Sequence, residues 1–389
     1  MKCQVAIVGS GPAGLLLGHL LRQASLSVVI VERHSAEHVL GRVRAGVLEQ
    51  TTTDLLERLG LDARLRAEGL VHDGVNLTDG ERLIRIDLPR LTGKHVTVYG
   101  QTEITRDLID AAEARGLKII WEAQDVALHD IDSDTPYLEL TNGGAHERVE
   151  ARFIAGCDGY YGPSRKAVPK RAGREYERIY PFGWLGVLAD VPPCNPEVVY
   201  ANHEHGFALA SMRSLTRSRC YVQIPIDEPI ENWPDERFWD EFELRLGPKA
   251  GGSVTRGPAI EKSIAPIRSY VFEPMRHGSL FLAGDAAHIV PPTGAKGLNL
   301  AASDATYLAD ALIRWFAGGD ESGVDSYSER ALARVWKAER FSWTLTNLLH
   351  RFPETGPFER RMQMAEFQYL ASSEAAQKSL AENYVGLPL

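Results

Sequence analysis

The sequence lacks the features that mark several common protein classes. Its 389 residues include only four cysteines, which are widely spaced and form no CxxC pair. A disulfide framework, a paired-cysteine zinc site and a disulfide reductase are therefore disfavoured, and we expect free thiols. The 12 histidines form no HExxH motif, so we predict no metal site. No apolar run approaches the roughly 18 residues of a membrane span.

An excess of positive charge is also missing. Lys and Arg number 43 against 52 Asp and Glu, a formal net charge of −9. An acidic chain has no general attraction for nucleic acid or an anionic membrane, and we predict neither as a partner. Glycines and Pro12 interrupt the apolar stretch near the N-terminus, which differs from the pattern of a signal peptide. We expect a cytoplasmic location.

The first forty residues follow the pattern of a dinucleotide-binding unit. Residues 4–8 form a short β-branched run, GSGPAG follows at 9–14, and a leucine-rich helix comes next. A second apolar run at 28–31 ends on Glu32. A lone GxGxxG is weak evidence, but strand, glycine loop, helix, strand and terminal acid in this order are a specific signal.

Each glycine of this loop has a predicted physical role. Gly9 permits a tight turn, Gly11 lets the backbone approach a pyrophosphate, and Gly14 lets helix and strand pack closely. The helix N-terminus offers free N–H groups and partial positive charge. Glu32 can accept hydrogen bonds from ribose hydroxyls. The predicted cofactor contacts in this unit are Ser10, Gly11, Ala13, Gly14 and Glu32.

Two later segments extend the cofactor site. Asp158 follows an apolar run at 153–157, and Asp285 follows another at 279–284. An Asp at a strand end can bind sugar or ribityl hydroxyls, and the glycine-rich helix start at 294–300 can present N–H groups to a flavin or phosphate. Each segment alone could be a surface turn. Together with the first site they favour an extended cofactor with a sugar chain, which is FAD.

These motifs resemble one known family. GSGPAG, the CDG…SR segment at 157–165 and GDAAHIVPPTGAKGLN at 284–299 are together similar to the single-component, FAD-dependent aromatic hydroxylases. The likeness extends over nearly the whole chain, through GRVRAGVLEQ (41–50), VTVYGQTEITRDL (96–108), YPFGWLGVLAD (180–190), SLTRSRCYVQIP (214–225), WKAERFSW (336–343) and AENYVGLP (381–388).

The resemblance implies a reaction. Such an enzyme would insert one atom of O2 next to the phenol of 4-hydroxybenzoate through a flavin C4a-hydroperoxide, giving 3,4-dihydroxybenzoate in aromatic catabolism. NADPH, with NADH possible, would reduce the flavin. The alternative enzyme is a sister flavin hydroxylase acting on another phenolic acid. A flavin-binding sensor without turnover is a further alternative, although it would need no substrate receptor.

A predicted hairpin carries a candidate carboxylate receptor. Residues 206–213 and 218–224 alternate like two strands across a short turn. Side chains alternate across a strand, so Ser211 and Arg213 share a face, and so do Arg219 and Tyr221. A hydroxyl beside a guanidinium suits a carboxylate. The resemblance places Ser211, Arg213 and Tyr221 on the substrate carboxylate and Arg219 against the reduced flavin.

The resemblance also implies groups for the phenol end. Tyr200 and Tyr384 alone would be ordinary packing residues. By resemblance, Tyr200 hydrogen-bonds the phenol, Tyr384 continues a proton relay, and His72 exchanges the proton with solvent, which suits its pKa near neutrality. The backbone carbonyl of Pro292 would accept from the phenol.

Only one dinucleotide fingerprint is present, so NAD(P)H must use a surface groove rather than a domain of its own. Candidate basic residues for this groove are Arg33, Arg42, Arg44 and Arg165, and by resemblance Arg44 also contacts the FAD pyrophosphate. Arg33 could pair with a 2′-phosphate, which favours NADPH. Gly41 and Gly46 would let the flavin swing between two positions. By resemblance, further cofactor contacts lie at Gln101, Leu298 and Asn299.

The predicted fold class is α/β with α+β character. We predict a Rossmann-like FAD-binding domain at 1–175, completed by 270–315, and a β-sheet substrate domain at 176–269. Helices follow at 301–317, 324–349 and 358–382, and residues 316–389 form the C-terminal helical and dimer region. Polar loops are predicted within 131–150 and 226–257. Two-fold dimers are the commonest oligomers, and the resemblance also implies a homodimer.

Overall fold

The computed structural model describes residues 1–41 and 46–388. Its helices differ greatly in length, from single turns to the 29 residues of the longest. They are α1 Pro12–Gln23, α2 Ala36–Leu40, α3 Gln50–Arg58, α4 Ala63–Glu68, α5 Leu88–Thr92, α6 Gln101–Ala114, α7 Ser164–Ala167, α8 Asp235–Gly251, α9 Gly297–Gly318, α10 Glu321–Leu349, α11 Pro357–Ser372 and α12 Glu374–Tyr384.

The strands form two large sheets and two small ones. They are β1 Val5–Val8, β2 Val28–Val31, β3 Val47–Leu48, β4 Leu70–His72, β5 Gly74–Thr78, β6 Leu83–Asp87, β7 Val96–Val98, β8 Lys118–Ile120, β9 Gln124–His129, β10 Tyr137–Asn142, β11 Ala145–Glu150, β12 Phe153–Gly156, β13 Arg174–Ala189, β14 Val199–Ala201, β15 Ala208–Ser214, β16 Arg217–Pro225, β17 Glu261–Glu273, β18 Arg276–His277, β19 Leu280–Leu282 and β20 His288–Ile289.

One sheet carries the predicted dinucleotide unit. Its strand order is β18-β19-β12-β1-β2-β8, and every neighbouring pair except β18-β19 is parallel. β1, β2 and β12 are buried at every residue, as expected for parallel strands covered on both faces. The carboxyl ends of β1 and β12 therefore bring the glycine loop and Asp158 to one edge. The predicted α/β class is confirmed.

The other large sheet positions the predicted substrate residues. Its order is β20-β17-β13-β16-β15-β14-β5-β6. One face packs against Phe238, Trp239 and Phe242 of α8. The opposite face, with Trp184, Tyr200 and Leu209, packs against the C-terminal helices. β5 and β6 precede residue 176 in the chain, so the sheet extends beyond the predicted 176–269 boundaries, and the division into domains stays a prediction.

The prediction of a polar loop at 226–257 was wrong in part. Residues Asp235–Gly251 form α8, with a break at Gly247, where φ is +72°. Phe238, Phe242 and Leu246 recur every fourth residue and are fully buried, a helical spacing that the polar residues between them obscured. The 131–150 segment likewise contains the β10–β11 hairpin, turning at two positive-φ glycines.

The C-terminal region is helical, as predicted, but one span is divided. The predicted helix 358–382 is two helices, α11 and α12, which meet at Ser373. The Ser373 side chain accepts a hydrogen bond from the Ala376 N–H and so begins the second helix. Of the helices in the described residues, none combines the length and apolar character needed to cross a membrane. All four cysteines are free thiols.

Candidate active site

The glycine loop has the backbone geometry that its sequence predicts. Gly9 has φ +102°, and a Cβ there would overlap the carbonyl of Cys157. A Cβ on Gly14 would overlap the carbonyl oxygen of Gly9, so close packing of α1 on β1 requires glycine. A Cβ on Gly11 would meet no atom of the described residues within 4 Å. The tight turn at Gly9 and the close packing at Gly14 are confirmed, and the described residues leave space at Gly11 for a ligand.

Ser10 and Glu32 come together at the end of β1. The Ser10 N–H and hydroxyl donate to Glu32 Oε2 at 2.9 and 3.1 Å, and Oε1 accepts from the His34 N–H at 3.0 Å. These contacts hold the carboxylate beside the loop and the first turn of α1, where Ala13 is buried. No side chain caps this helix start, so its N–H groups remain for an anion.

Asp158 lies at the carboxyl end of β12. Its Oδ2 accepts from the Ser164 N–H at 2.8 Å, whereas Oδ1 is buried and has no hydrogen-bond partner among the described residues. Burial raises the pKa of this carboxyl. A buried carboxylate oxygen without a donor needs a ligand or water partner. Asp285 lies in the turn Gly284–Ala286, which follows the neighbouring strand β19.

Arg165 has a different environment from the one that its prediction requires. The guanidinium is buried and donates to the carbonyls of Ala286 (2.9 Å) and Tyr160 (2.7 Å). It joins the Asp158 segment to the Asp285 turn rather than standing on a basic surface. Its role toward nicotinamide stays a prediction.

The other predicted flavin contacts lie around the start of α9. Asn299 uses its whole side chain, accepting from Glu49 N–H and Thr52 hydroxyl and donating to the Val47 and Ala295 carbonyls. Asn299 can therefore contact a cofactor through its backbone groups in the first turn of α9. Half-buried Leu298 lies in the same turn and offers its backbone groups as well. Gln101 is half-buried at the first position of α6.

The hairpin is confirmed, and its register places Ser211, Arg219 and Tyr221 on one face. Ser211 pairs with Arg219, and Leu209 pairs with Tyr221. Directly paired residues point to the same side of a sheet, so the Ser211 hydroxyl, the Arg219 guanidinium and the Tyr221 phenol share that face. Tyr200, paired with Leu209 on the next strand, lies on it too. The receptor and the phenol-end tyrosine thus face one interior space.

Arg213 is a half-buried cation with few partners among the described residues, and its Nε is inaccessible to solvent. A β-bulge between Met212 and Ser214 leaves it without a residue opposite. Burial lowers the pKa of Arg213, and the charge of Arg219 lowers it further. The neighbouring Tyr221 hydroxyl partly offsets this shift. Among the described residues, no group hydrogen-bonds its Nε. A guanidinium with a buried, unpaired nitrogen would be stabilised by a bound anion.

Arg219 and Ser211 are already engaged. Arg219 Nη1 lies 3.0 Å from Glu261 Oε1, and Nη2 donates to the Ser263 hydroxyl at 3.0 Å. The Ser211 hydroxyl donates to the Arg219 carbonyl at 2.8 Å, so it must rotate to donate to a substrate. Of the two arginines Arg213 and Arg219, Arg213 is therefore the one that remains available to a ligand.

Gly186 is a site residue that the sequence analysis missed. It pairs with Tyr221 on β16. A Cβ there would lie 2.7 Å from the Tyr221 ring and 3.0 Å from Arg219 Nη2. Glycine therefore makes room for both side chains, and only the strand register could reveal that need.

The structure brings together two of the three relay residues. The hydroxyl oxygens of Tyr200 and Tyr384 are 3.4 Å apart and buried. Burial raises the pKa of both, that of Tyr384 to about 12. Within the described residues, buried His72 contacts Met212 Sδ at 3.2 Å rather than Tyr384. The outer step of the relay stays a prediction.

Pro292 begins the short helical turn Pro292–Gly294. Its carbonyl accepts from the Ala295 N–H at 2.9 Å. A carbonyl oxygen has two lone pairs, so this contact leaves one for a phenol. Ala295 has φ +54°, which turns the chain toward α9.

A buried ion cluster next to the relay was not predicted. Lys296 donates to Glu49 Oε1 and to the Tyr384 carbonyl, both at 2.8 Å. Arg334 donates to Glu49 Oε2 at 2.9 Å and to the Leu387 carbonyl at 2.5 Å. The cluster ties the C-terminal segment to the start of α9 and so holds Tyr384. Lys296 lies within the GAKGLN motif, but its partners are remote in sequence.

The predicted basic groove is only partly described. Arg33 is exposed and donates from Nε to His34 Nε2 at 2.9 Å. The rings of His34 and His38 stack with centroids 4.0 Å apart. Arg42 and Arg44 lie outside the described residues. A Cβ on Gly46 would overlap the Tyr99 carbonyl, so close packing explains this glycine without a hinge.

The residues present fit FAD. The open space at Gly11 and the uncapped start of α1 suit a pyrophosphate, Glu32 suits a ribose, and the unpaired Oδ1 of Asp158 suits a polyol chain. Within the described part of the chain, no three His, Cys, Asp or Glu side chains gather to hold a metal ion.

Sequence comparison identifies relatives along the whole chain. The FAD binding domain family matches residues 2–342. The p-hydroxybenzoate hydroxylase of Acinetobacter baylyi is 56% identical over 389 residues, covering 100% of this chain and 96% of that protein. Para-nitrophenol 4-monooxygenase of a Pseudomonas species is 26% identical and covers 83% and 81% of the two chains.

Solved structures share the fold. The p-nitrophenol 4-monooxygenase PnpA of Pseudomonas putida superimposes with a TM-score of 0.81 at 20% identity, covering both chains fully. Aklavinone-11 hydroxylase, in a complex with FAD and aklavinone, gives a TM-score of 0.75 at 20% identity over 90% of this chain and 69% of its own. At these identities the likeness shows the fold alone.

Proposed function

Since the chain belongs to the FAD binding domain family and to the group of flavoprotein monooxygenases that includes p-hydroxybenzoate hydroxylase, we propose that it hydroxylates 4-hydroxybenzoate to 3,4-dihydroxybenzoate. FAD is its cofactor, and NAD(P)H and O2 are its co-substrates. A role in aromatic catabolism follows from this reaction.

The observation that carries the substrate assignment is Arg213. This half-buried residue has a buried Nε that is unpaired among the described residues, and its guanidinium lies beside the Tyr221 hydroxyl. A carboxylate would accept from the fork of Arg213 and from Tyr221, and would offset the cost of burying the charge. Ser211 adds a donor after it rotates. The sensor alternative does not explain why Arg213, a half-buried cation, has an Nε without a partner among the described residues.

The phenol end is proposed to activate the ring. The substrate hydroxyl donates to Tyr200, whose hydroxyl is within reach of Tyr384. Passing the proton along these hydroxyls gives the ring phenolate character and makes it more nucleophilic. The Pro292 carbonyl orients the same hydroxyl, and His72 exchanges the proton with solvent after a rearrangement that brings it to Tyr384.

FAD would be held by the Gly11 loop and the start of α1, by Glu32 and by Asp158, and would supply the redox chemistry between NAD(P)H and O2. The protein binds the aromatic acid, fixes its ring by both ends and excludes water from the interior. Arg219, held by Glu261 and Ser263, is proposed to stand against the reduced flavin. The exposed Arg33 favours NADPH over NADH through a 2′-phosphate contact.

Assembly and location form part of the proposal. We propose a homodimer, supported by the exposed aromatic side chains of the C-terminal region, which include Trp336, Trp343 and Phe358. We also propose a cytoplasmic location, because the reaction draws on the intracellular pool of NADPH.

The decisive experiment is NADPH oxidation by the purified, FAD-loaded protein with and without 4-hydroxybenzoate, followed by product analysis. The proposal expects substrate-stimulated oxidation and 3,4-dihydroxybenzoate as product. A panel of other hydroxybenzoates distinguishes the sister-hydroxylase alternative, which would give faster, better coupled turnover on another acid. Absence of turnover with every acid, despite bound FAD, would favour the sensor.

A further inference from the structure

A buried histidine just beyond α10 contacts the sheet behind the carboxylate receptor. His350 Nε2 lies 2.7 Å from the Trp184 indole Nε1, and its Nδ1 lies 3.0 Å from the Thr346 carbonyl. An indole N–H only donates and a carbonyl only accepts, so the ring proton must be on Nδ1. Burial lowers the pKa of His350 to about 3. The ring is therefore neutral and serves a fixed structural contact.

Aromatic rings hold His350 on both sides. Its ring stacks on Phe182 at 4.8 Å and on Phe207 at 4.3 Å between centroids. Phe207 stacks in turn on Trp184 at 4.7 Å, and Trp184 meets Tyr221 of the receptor at 5.3 Å. Movement of His350 would therefore be transmitted to the receptor through close-packed rings.

Arg351, the residue after His350, is hydrogen-bonded to the same position of the sheet. Trp184 and Gln223 are directly paired on β13 and β16. Gln223 Nε2 donates to the Arg351 carbonyl at 2.5 Å, and its Oε1 accepts from the Arg351 N–H at 3.0 Å. One pair of strand residues thus binds two successive residues after α10.

The last turns of α10 also reach the phenol end. Thr346 donates its hydroxyl proton to the Ser342 carbonyl at 2.7 Å. Its contact with the Thr293 hydroxyl, 2.9 Å away, therefore has Thr293 as the donor. Thr293 directly follows Pro292, whose carbonyl is the proposed phenol acceptor. α10 consequently connects the loop at one end of the pocket to the sheet at the other.

We propose that His350 is a positioning residue that, together with Thr346, sets the distance between the carboxylate receptor and the Pro292–Thr293 loop, and thereby selects aromatic acids by length. The inference rests on the proposed function, because it deepens the specificity of that site. A benzoate fits the fixed span, whereas a phenylacetate, longer by one methylene, strains it.

The test compares two acids on the FAD-loaded protein without NADPH. Isothermal titration calorimetry gives the Kd of 4-hydroxybenzoate and of 4-hydroxyphenylacetate for each variant. His350→Phe keeps a ring in the stack and removes both hydrogen bonds. Trp184→Phe removes the shared bond from the sheet side. Both variants lose the bond between His350 and Trp184, so in both the preference for the shorter acid is expected to fall about tenfold, the equivalent of that one hydrogen bond.

Two further variants separate positioning from general destabilisation. His350→Gln can accept from the indole and donate to the Thr346 carbonyl, so it should restore the preference. His19→Phe is the matched control, since His19 is a buried histidine whose Nε2 lies 2.8 Å from the Leu108 carbonyl, outside the candidate active site. It should lower the melting temperature and leave the preference unchanged.

The outcomes are distinct. If folded, FAD-loaded His350→Phe keeps the wild-type ratio of the two Kd values, the inference is overturned, even when both acids bind more weakly. If that variant does not fold, Trp184→Phe decides the question by the same criterion. If the wild-type protein binds neither acid, the proposed function fails instead.

Discussion

The hydroxyl oxygens of Tyr200 and Tyr384 lie 3.4 Å apart in the interior, and their rings are nearly perpendicular, at 86°. β14 and α12 bring these residues together across 184 positions of sequence. Either hydroxyl can donate, and burial raises the pKa of both. The pair can therefore pass a proton while each phenol stays neutral before and after the transfer.

Replacing Tyr200 by Phe should separate binding from chemistry. The ring and the carboxylate receptor remain, so 4-hydroxybenzoate should still bind within about tenfold of wild type, as expected for the loss of one hydrogen bond. The substrate hydroxyl loses its proton acceptor, so most NADPH consumed should yield hydrogen peroxide. Product per NADPH measures the effect.

The control for this change is Tyr327→Phe. Tyr327 is also fully buried and donates to the Leu282 carbonyl at 2.8 Å, in the other large core. Its loss should reduce stability by about 1 kcal/mol without altering product yield. If Tyr200→Phe gives the same product per NADPH as wild type, the proposed proton relay is wrong.

Replacing Arg213 by Gln should weaken substrate binding far more than it harms the fold. Removing the cation of a buried charge pair costs about 2–5 kcal/mol, or about 30-fold or more in Kd for 4-hydroxybenzoate. Without substrate, Arg213 is a half-buried charge whose Nε has no partner among the described residues, so the variant should unfold at the wild-type temperature or above. Titration and thermal scans measure the two effects.

Arg245→Gln is the contrasting variant. Arg245 is buried but paired with Glu241 at 2.9 Å and donates to the Gln223 carbonyl at 2.7 Å. Its loss leaves partners unsatisfied and should lower the melting temperature. Unchanged affinity for 4-hydroxybenzoate in Arg213→Gln would show that the carboxylate binds elsewhere.

Two glycines of the first loop should fail in different ways. Gly11→Val places its side chain in open space, where a cofactor phosphate would lie. The apoprotein should fold normally but lose FAD during gel filtration, measured by absorbance at the flavin band. Gly14→Val collides with Gly9 in the protein itself and should lower the stability of the apoprotein. Full FAD content in Gly11→Val would contradict this placement.

Stability should fall as pH rises from about 4.5 to about 7 because of Glu339. Burial raises the pKa of this carboxyl from its ordinary 4.5 to about 7. The unfolded chain loses this proton near pH 4.5, whereas the folded protein holds it to about pH 7. The contribution is therefore complete below pH 4.5 and is lost by about pH 7, up to about 3 kcal/mol.

Urea unfolding between pH 4.5 and 8 measures this effect. Glu339→Gln keeps the shape and cannot ionise, so it should flatten that part of the pH profile. Glu366→Gln is the control, because Glu366 lies exposed on α11. An identical pH slope in wild type and Glu339→Gln would rule out Glu339 as the source.

The dinucleotide unit could be predicted because its signals are local. Gly9 needs a positive φ, Gly14 needs the absence of a Cβ, and the hairpin at 208–225 has two strand-like runs on either side of a short turn. Such features depend on a residue and its near neighbours. α8 was missed because polar residues interrupt its apolar face, and only the sheet beneath it shows which side chains are buried.

The sequence by itself determined the strand–loop–helix unit, the candidate FAD contacts and, through family resemblance, the residues expected to hold the substrate. Tertiary structure decided which of these meet: Tyr200 reaches Tyr384, His72 contacts Met212, Arg165 is used internally, and His350 contacts Trp184 of the sheet. The reason is physical. Backbone conformation is set within a few residues, whereas a contact between remote side chains exists only once sheets and helices pack in register.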